Sequence, residues 1–254
     1  MAEPPAREDF AARLRRMTSA RVSLGLVGTG LPTRPMLDFQ LAHAQARDAV
    51  RAELPAGAFG SEIAGVPVVN VRSRAPDRAT YLRRPDLGRR LDAESAAALA
   101  SHDVRGEIAV VIGDGLSATA VLAHGAALAA AILARLSGWS PAPITVARQA
   151  RVAIGDEIGE ALGVKLVIVL IGERPGLSAA DGVGAYLTWA PRPGRRDSER
   201  NCVSNIRPGG LAIDRAAALI AAIAEGARAL GGTGVALKIA APPALLQIAG
   251  SKGE

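Results

Sequence analysis

The segment Gly172-Glu-Arg-Pro-Gly176 sets a carboxylate, a guanidinium and a proline directly after the apolar run Leu166–Ile171. That run has the length and β-branching of a strand buried on both faces, as in a parallel sheet covered by helices. Open α/β sheets bind ligands at the carboxyl ends of their strands, so Glu173 stands where a site is expected. A surface turn carrying a solvated Glu173–Arg174 pair fits the same residues.

Other candidates for chemistry are sparse. Gly113-Asp-Gly-Leu-Ser117 joins a strand end to a helix start, where free N–H groups and the helix dipole favour anions. It lacks the Gly-Lys-Ser/Thr of a phosphate loop and the Gly-x-Ser-x-Gly of a nucleophile elbow. Ser117 is read as a helix cap. His43, His102 and His124 have no ligand spacing, so no metal is expected, and a Ser–His–Asp set through His124 has no motif behind it. Asp156, Glu157 and Glu160 crowd one helix start and read as a solvated turn complementing the dipole. Cys202 has no neighbouring histidine to activate it and reads as a small apolar group. No catalytic residue is assigned. The chain is expected to bind and position something rather than react unaided.

The elements that would carry these residues change character near residue 92. Before it, Asp9 caps a short helix through Met17, Gly25–Gly30 forms a turn, and Pro35 opens an amphipathic helix offering Leu37, Leu41, Ala44, Ala49 and Val50 for burial. Val66–Val71 is extended, and the charged run Tyr81–Leu91 reads as an exposed connector. From Asp92 onward strand and helix alternate: a helix capped by Asp92, strand Ile108–Ile112, and an Ala-rich helix to Leu136. A strand from Ile144, a helix from Gly155, the Leu166 strand, a strand at Ala185–Trp189 and a helix over Asp214–Leu230 complete the series. This alternation predicts an α/β fold with a doubly wound, mostly parallel sheet.

Composition narrows the class. The 254 residues are 49% hydrophobic with a net charge of +6. No run of about 18 uninterrupted apolar residues marks a membrane helix, and Met1–Phe10 is too polar for a secretory signal. A soluble, intracellular protein is expected. The lone cysteine excludes an internal disulfide. Basic charge rests on 27 arginines against three lysines, which favours bidentate pairing with carboxylates or phosphates. With few aromatics and no recognition motif, nucleic acid is not the expected partner. An acidic protein surface is.

Taken together, the motifs resemble one family, the small (light) subunit of ethanolamine ammonia-lyase. They are Leu31-Pro-Thr-Arg34, Phe39-Gln-Leu-Ala-His-Ala-Gln-Ala-Arg-Asp48, Tyr81-Leu-Arg-Arg-Pro-Asp-Leu-Gly-Arg-Arg90 and Asp114-Gly-Leu-Ser117. They continue with Gly155-Asp-Glu-Ile-Gly-Glu160, Gly172–Gly176, Tyr186-Leu-Thr-Trp-Ala-Pro-Arg-Pro-Gly194 and Asn201-Cys-Val-Ser-Asn-Ile-Arg-Pro208. The resemblance implies a helical N-terminal domain over residues 1–91 and a Rossmann-like, cobalamin-contacting domain over residues 92–254. It implies a lyase that converts ethanolamine to acetaldehyde and ammonia with adenosylcobalamin, and a large subunit that holds substrate and catalytic residues. It also implies a trimer of paired heterodimers with the cobalamin at the subunit interface. Cofactor contacts carry over to Val152, Glu173 and Cys202, with no cobalt ligand among them. Some relatives carry an N-terminal targeting extension. Here the resemblance spans about residues 21 to 212, so only about 20 residues precede it and the cytoplasm is expected, with carriage into a bacterial microcompartment by the large subunit as the alternative. A different class, a stand-alone Rossmann-like nucleotide-binding protein or enzyme, would need a Gly-x-Gly-x-x-Gly turn that this chain lacks. A purely structural partner would leave Glu173 and Cys202 without a ligand.

Overall fold

The structure, a computed structural model, describes residues 10–18, 20–102 and 106–238. Asp9 and the tail after Ala240 lie outside the described residues. The chain begins with helices α1 (Phe10–Met17) and α2 (Thr33–Arg51), strands β1 (Glu62–Ile63) and β2 (Val66–Arg72), and helices α3 (Arg78–Arg83) and α4 (Ala93–Ala100). It continues through β3 (Ile108–Gly113), α5 (Ala118–Arg135), β4 (Ile144–Arg148), α6 (Ile154–Leu162) and β5 (Leu166–Gly172). Strands β6 (Val183–Trp189) and β7 (Arg200–Ile206) and helix α7 (Ile213–Leu230) follow.

One sheet runs in the order β1-β2-β4-β3-β5-β6-β7. Its central strands β2, β4, β3 and β5 are parallel. The pairs β1–β2, β5–β6 and β6–β7 are antiparallel. The expectation of a mostly parallel, doubly wound sheet is corrected: half the pairings are antiparallel, and the sheet is mixed. The cause is the length of the connections. Parallel neighbours need a crossover of about a dozen residues or more, usually a helix. Segments 173–182 and 190–199 carry no α-helix, so the chain turns straight back. The sheet also takes β1 and β2 from before the change of pattern at residue 92.

Helices nonetheless cover both faces. Ile108, Val110 and Ile112 of β3 and Leu166, Ile168 and Leu170 of β5 pack with α5 and α7. The alternate residues Ala109, Val111, Val167 and Val169 pack with α4 and α6. This is the period-2 pattern of a strand buried on both sides. By length and composition α5 would suit a membrane span, yet Val121, Leu128 and Ile132 are wholly buried against the sheet and α7. It is a core helix. Asp92 caps α4 by accepting from Ser95 N at 2.8 Å, and Ser117 caps α5 by accepting from Ala120 N at 3.2 Å. Leu37 and Leu41 are corrected to exposed positions, because only Ala46 and Ala49 near the end of α2 are buried.

The edge strand β7 is anchored by a charge pair inside the molecule. Arg200 sends Nη1 to Asp156 Oδ1 and Nη2 to Asp156 Oδ2, each at 2.7 Å, and Nη1 also donates to Thr188 Oγ1 at 2.8 Å. Both charged side chains are buried. The solvated reading of Asp156 is corrected: β7 and its arginine, far along the chain, close over the start of α6. Glu157 is engaged as well, accepting from Arg90 Nη1 at 2.6 Å and Leu91 N at 2.7 Å. Replacing one partner of a buried pair strands the other charge. Asp156→Ala should therefore lower the unfolding free energy in urea by about 3–5 kcal/mol; a loss below about 1 kcal/mol would place the pair in the range of surface bridges.

Candidate functional site

The carboxyl ends of β3, β4 and β5 meet at a buried carboxylate. Asp114, just past β3, is fully buried and accepts from the consecutive N–H groups of Gln149 and Ala150, each at 2.9 Å. Gln149 is left-handed (φ 54°); the amides beyond β4 thus converge on one anion, as in a backbone nest. Arg78 Nη1 lies 3.5 Å from Asp114 Oδ2 and donates to Gly115 O at 2.9 Å. Burial pushes the Asp114 carboxyl above the usual carboxylate range, against the pull of those donors.

Arg78 opens α3, which runs into the segment Tyr81–Leu91 read as an exposed connector, and at Tyr81 that expectation is corrected. Tyr81 is fully buried and donates its hydroxyl to Ala150 O at 2.9 Å. Its ring lies between two guanidiniums, with Arg78 Cζ at 4.8 Å and Arg151 Cζ at 4.4 Å from the centroid. An aromatic face with a satisfied hydroxyl can be buried among arginines because cation–π attraction offsets part of their desolvation. Arg83, Arg84, Arg89 and Arg90 stay exposed. A tyrosine within a charged run was the available signal, and its partners are non-local.

On this base lies an open cleft of about 440 Å³. Leu116, Val152 and Tyr186 give it an apolar wall, and Arg151, Glu173 and Arg174 supply charge. Two of the three residues singled out by sequence, Val152 and Glu173, thus share one cleft. Glu173 is no free turn acid. Its carboxylate accepts from Asn205 N on β7 at 3.1 and 3.3 Å. A Cβ at Gly182 or Gly184 would sit 2.8 or 3.0 Å from its oxygens, so the start of β6 and the residue before it offer the carboxylate a glycine cradle. Gly172 permits the approach beneath it, since a Cβ there would lie 2.1 Å from Ser117 O. Cys202 sits beside this cleft rather than in its lining. It is exposed and pairs in register with Tyr186.

Burial raises Tyr186 to about 12; Cys202, though exposed as a residue, has its thiol raised by desolvation from the protein around it. Both are neutral groups at physiological pH. Outside the cleft, His124 Nε2 lies 3.5 Å from Asp181 Oδ2, and the Ser117 hydroxyl donates to Ala180 O at 2.9 Å.

Comparison with known proteins decides the family. The model of the ethanolamine ammonia-lyase light chain matches residues 8–238. This chain belongs to that family. Its relatives named as ethanolamine ammonia-lyase small subunits include one from Bradyrhizobium diazoefficiens, 51% identical over 94% of each chain. Others come from Ralstonia nicotianae, 49% identical over 92% of this chain and 90% of the relative, and Azotobacter vinelandii, 48% identical over 97% and 94%. The resemblance drawn from the motifs is borne out across nearly the whole light chain. Sequence reasoning missed Asp114, Arg78, Tyr81, Arg151 and Tyr186 as parts of the site, because each acts through a partner distant in sequence.

The raised thiol has a direct readout. Alkylation of Cys202 by iodoacetamide should be slow at neutral pH and rise with a midpoint above the ordinary thiol value of 9.0. A midpoint below that value would show an activated thiolate instead.

Proposed function

We propose that this chain is the small subunit of an adenosylcobalamin-dependent ethanolamine ammonia-lyase, supplying part of the wall that holds the cobalamin against a catalytic large subunit. The reading rests on the family and on one observation: an apolar wall and a pre-set carboxylate face a single open cleft. A corrin has broad apolar faces and a rim of amide arms, and the residues present fit both. Val152 and Leu116 can pack on the faces. Glu173 has about four acceptor positions, of which the Asn205 amide uses only part, leaving charge-assisted bonds for rim amides. Tyr186 adds a neutral hydroxyl, and Cys202 beside it a compact polarisable edge. The cofactor supplies the radical by breaking its Co–C bond, while protein binds and orients it.

The cleft is a wall rather than an enclosure, which suits a subunit that completes its site with another. On this reading substrate and catalytic residues lie on the large subunit, and the assembly is a trimer of paired heterodimers. Its place is the cytoplasm, or a bacterial microcompartment reached with the large subunit. The nucleotide-binding alternative finds little support. Three of the N–H groups around the start of α5 already have acceptors: Leu116 N on Gly172 O, Ser117 N on Asp114 O and Ala120 N on Ser117 Oγ.

Two outcomes test the proposal. Glu173→Gln keeps size and one acceptor oxygen but removes the charge. It should weaken adenosylcobalamin binding to the assembled enzyme by about 1.5–3 kcal/mol, roughly tenfold to a hundredfold. An unchanged dissociation constant with assembly intact would remove Glu173 from the site. The purified chain alone should release no acetaldehyde from ethanolamine when given adenosylcobalamin. Turnover by it would overturn the assignment of the chemistry to the large subunit.

A further inference from the structure

Beside the proposed cobalamin cleft lies a second one of about 390 Å³, and the two share Arg151, Val152 and Tyr186. Arg89, Arg195, Arg196 and Asp197 also line it. Its charges are not balanced. Arg195 is committed to Glu199 and to Ala190 O, and Asp197 lies 3.4 Å from Arg200 Nε. Among the described residues Arg89, Arg151 and Arg196 have no carboxylate at ion-pair distance, and Arg151 Nε is buried without a hydrogen-bond partner. A buried donor left unmatched is costly, and three unpaired guanidiniums on one concave surface repel one another unless an anion joins them. Guanidinium forks match a phosphate's oxygens.

We infer that this arginine-lined cleft is an oxyanion subsite that takes a phosphodiester. Resting on the cobalamin reading above, it assigns Arg89, Arg151 and Arg196 to the phosphodiester that links the cobalamin's nucleotide tail to its ring. Continuity carries the argument: one groove presents an apolar, amide-accepting stretch around Val152 and Glu173, then a cationic stretch. A ligand that fills both must have an amide-rimmed apolar body joined to a single anion. Free phosphate has the same anion chemistry without the body.

The test uses the assembled two-subunit enzyme as wild type, Arg196→Gln and Arg89→Gln/Arg196→Gln. Each is titrated with adenosylcobalamin and with adenosylcobinamide, which lacks the phosphodiester and the nucleotide. Both substituted side chains are exposed, so the fold should survive. Adenosylcobalamin affinity should fall about tenfold to a hundredfold, with adenosylcobinamide unaffected. Millimolar inorganic phosphate should compete with adenosylcobalamin in the wild type and not in the double variant. If the double variant fails to assemble, Arg196→Gln alone must show the same selectivity. Unchanged affinity, or an equal loss for both corrinoids, overturns the subsite; the cobalamin reading then still stands if Glu173→Gln weakens both ligands. Phosphate competition without any selective loss would assign the cleft to free phosphate and overturn the diester. A wild-type enzyme that binds neither corrinoid would overturn both readings.

Discussion

Asp114 is the constraint on which the rest of the site depends. A carboxylate with no solvent contact is expensive to bury unless it is paired and hydrogen-bonded. The chain arranges three donors around it: two amides from the loop after β4 and a guanidinium from α3. Each bond positions something else. The amides fix the loop that presents Arg151 and Val152, and Arg78 pins α3, which brings in Tyr81. The compensation is incomplete, since burial still raises the Asp114 carboxyl and Arg78 Nη2 has no partner. An acid whose folded-state pKa lies above its unfolded value loses stabilising effect as pH rises through that folded value. Once ionised, Asp114 therefore draws on stability that the sheet core must supply, in return for a defined loop geometry.

The opposite wall of the cleft is set by the antiparallel half of the sheet. β6 provides Gly184 and Tyr186, Gly182 lies just before it, and β7 provides the Asn205 amide that orients Glu173. Had β5 been followed by a helical crossover, the edge of the sheet would have lain elsewhere and Glu173 would have faced solvent as an ordinary turn acid. The Arg200–Asp156 pair closes this wall against α6, two residues before Cys202 on one side and four after Val152 on the other. Both ends of that pair lie within a few residues of proposed cofactor contacts, so β7 and α6 keep their spacing as one unit.

Legibility in the sequence followed the range of the interaction. The buried strands β3 and β5, and the caps at Asp92 and Ser117, are readable because their determinants are local: apolar runs, and an oxygen three residues before the amide it receives. The direction of β6 and β7 depended on connection length, which the alternation of elements obscured. β7 itself is half polar, with Cys202, Ser204 and Asn205 exposed, and so gives no apolar run to read. Asp156 and Tyr81 looked solvated because their immediate neighbours are polar or charged, while their partners lie 44 and 69 residues away. Glu173 was found from its place at a strand end. What holds it there was not legible.

The arginine surplus separates into different physical jobs once the fold is known. Arg78 and Arg200 are buried and spend their charge inside, on Asp114 and Asp156. Arg84 and Arg195 meet local acids, and Arg90 meets Glu157, 67 residues along the chain. Such pairs neutralise charge and contribute little to recognition. Arg151 differs: it stacks on Tyr81 at the base of the site, yet keeps Nε unmatched beside both clefts. A guanidinium held by its face rather than by a carboxylate retains its hydrogen-bonding edges for another molecule. The same buried ring thus serves both sides of the site, packing against the Arg78 that reaches Asp114 and presenting the Arg151 that faces outward. Binding capacity in this chain arises where charge has been positioned by packing and left unneutralised, and net charge alone does not locate it.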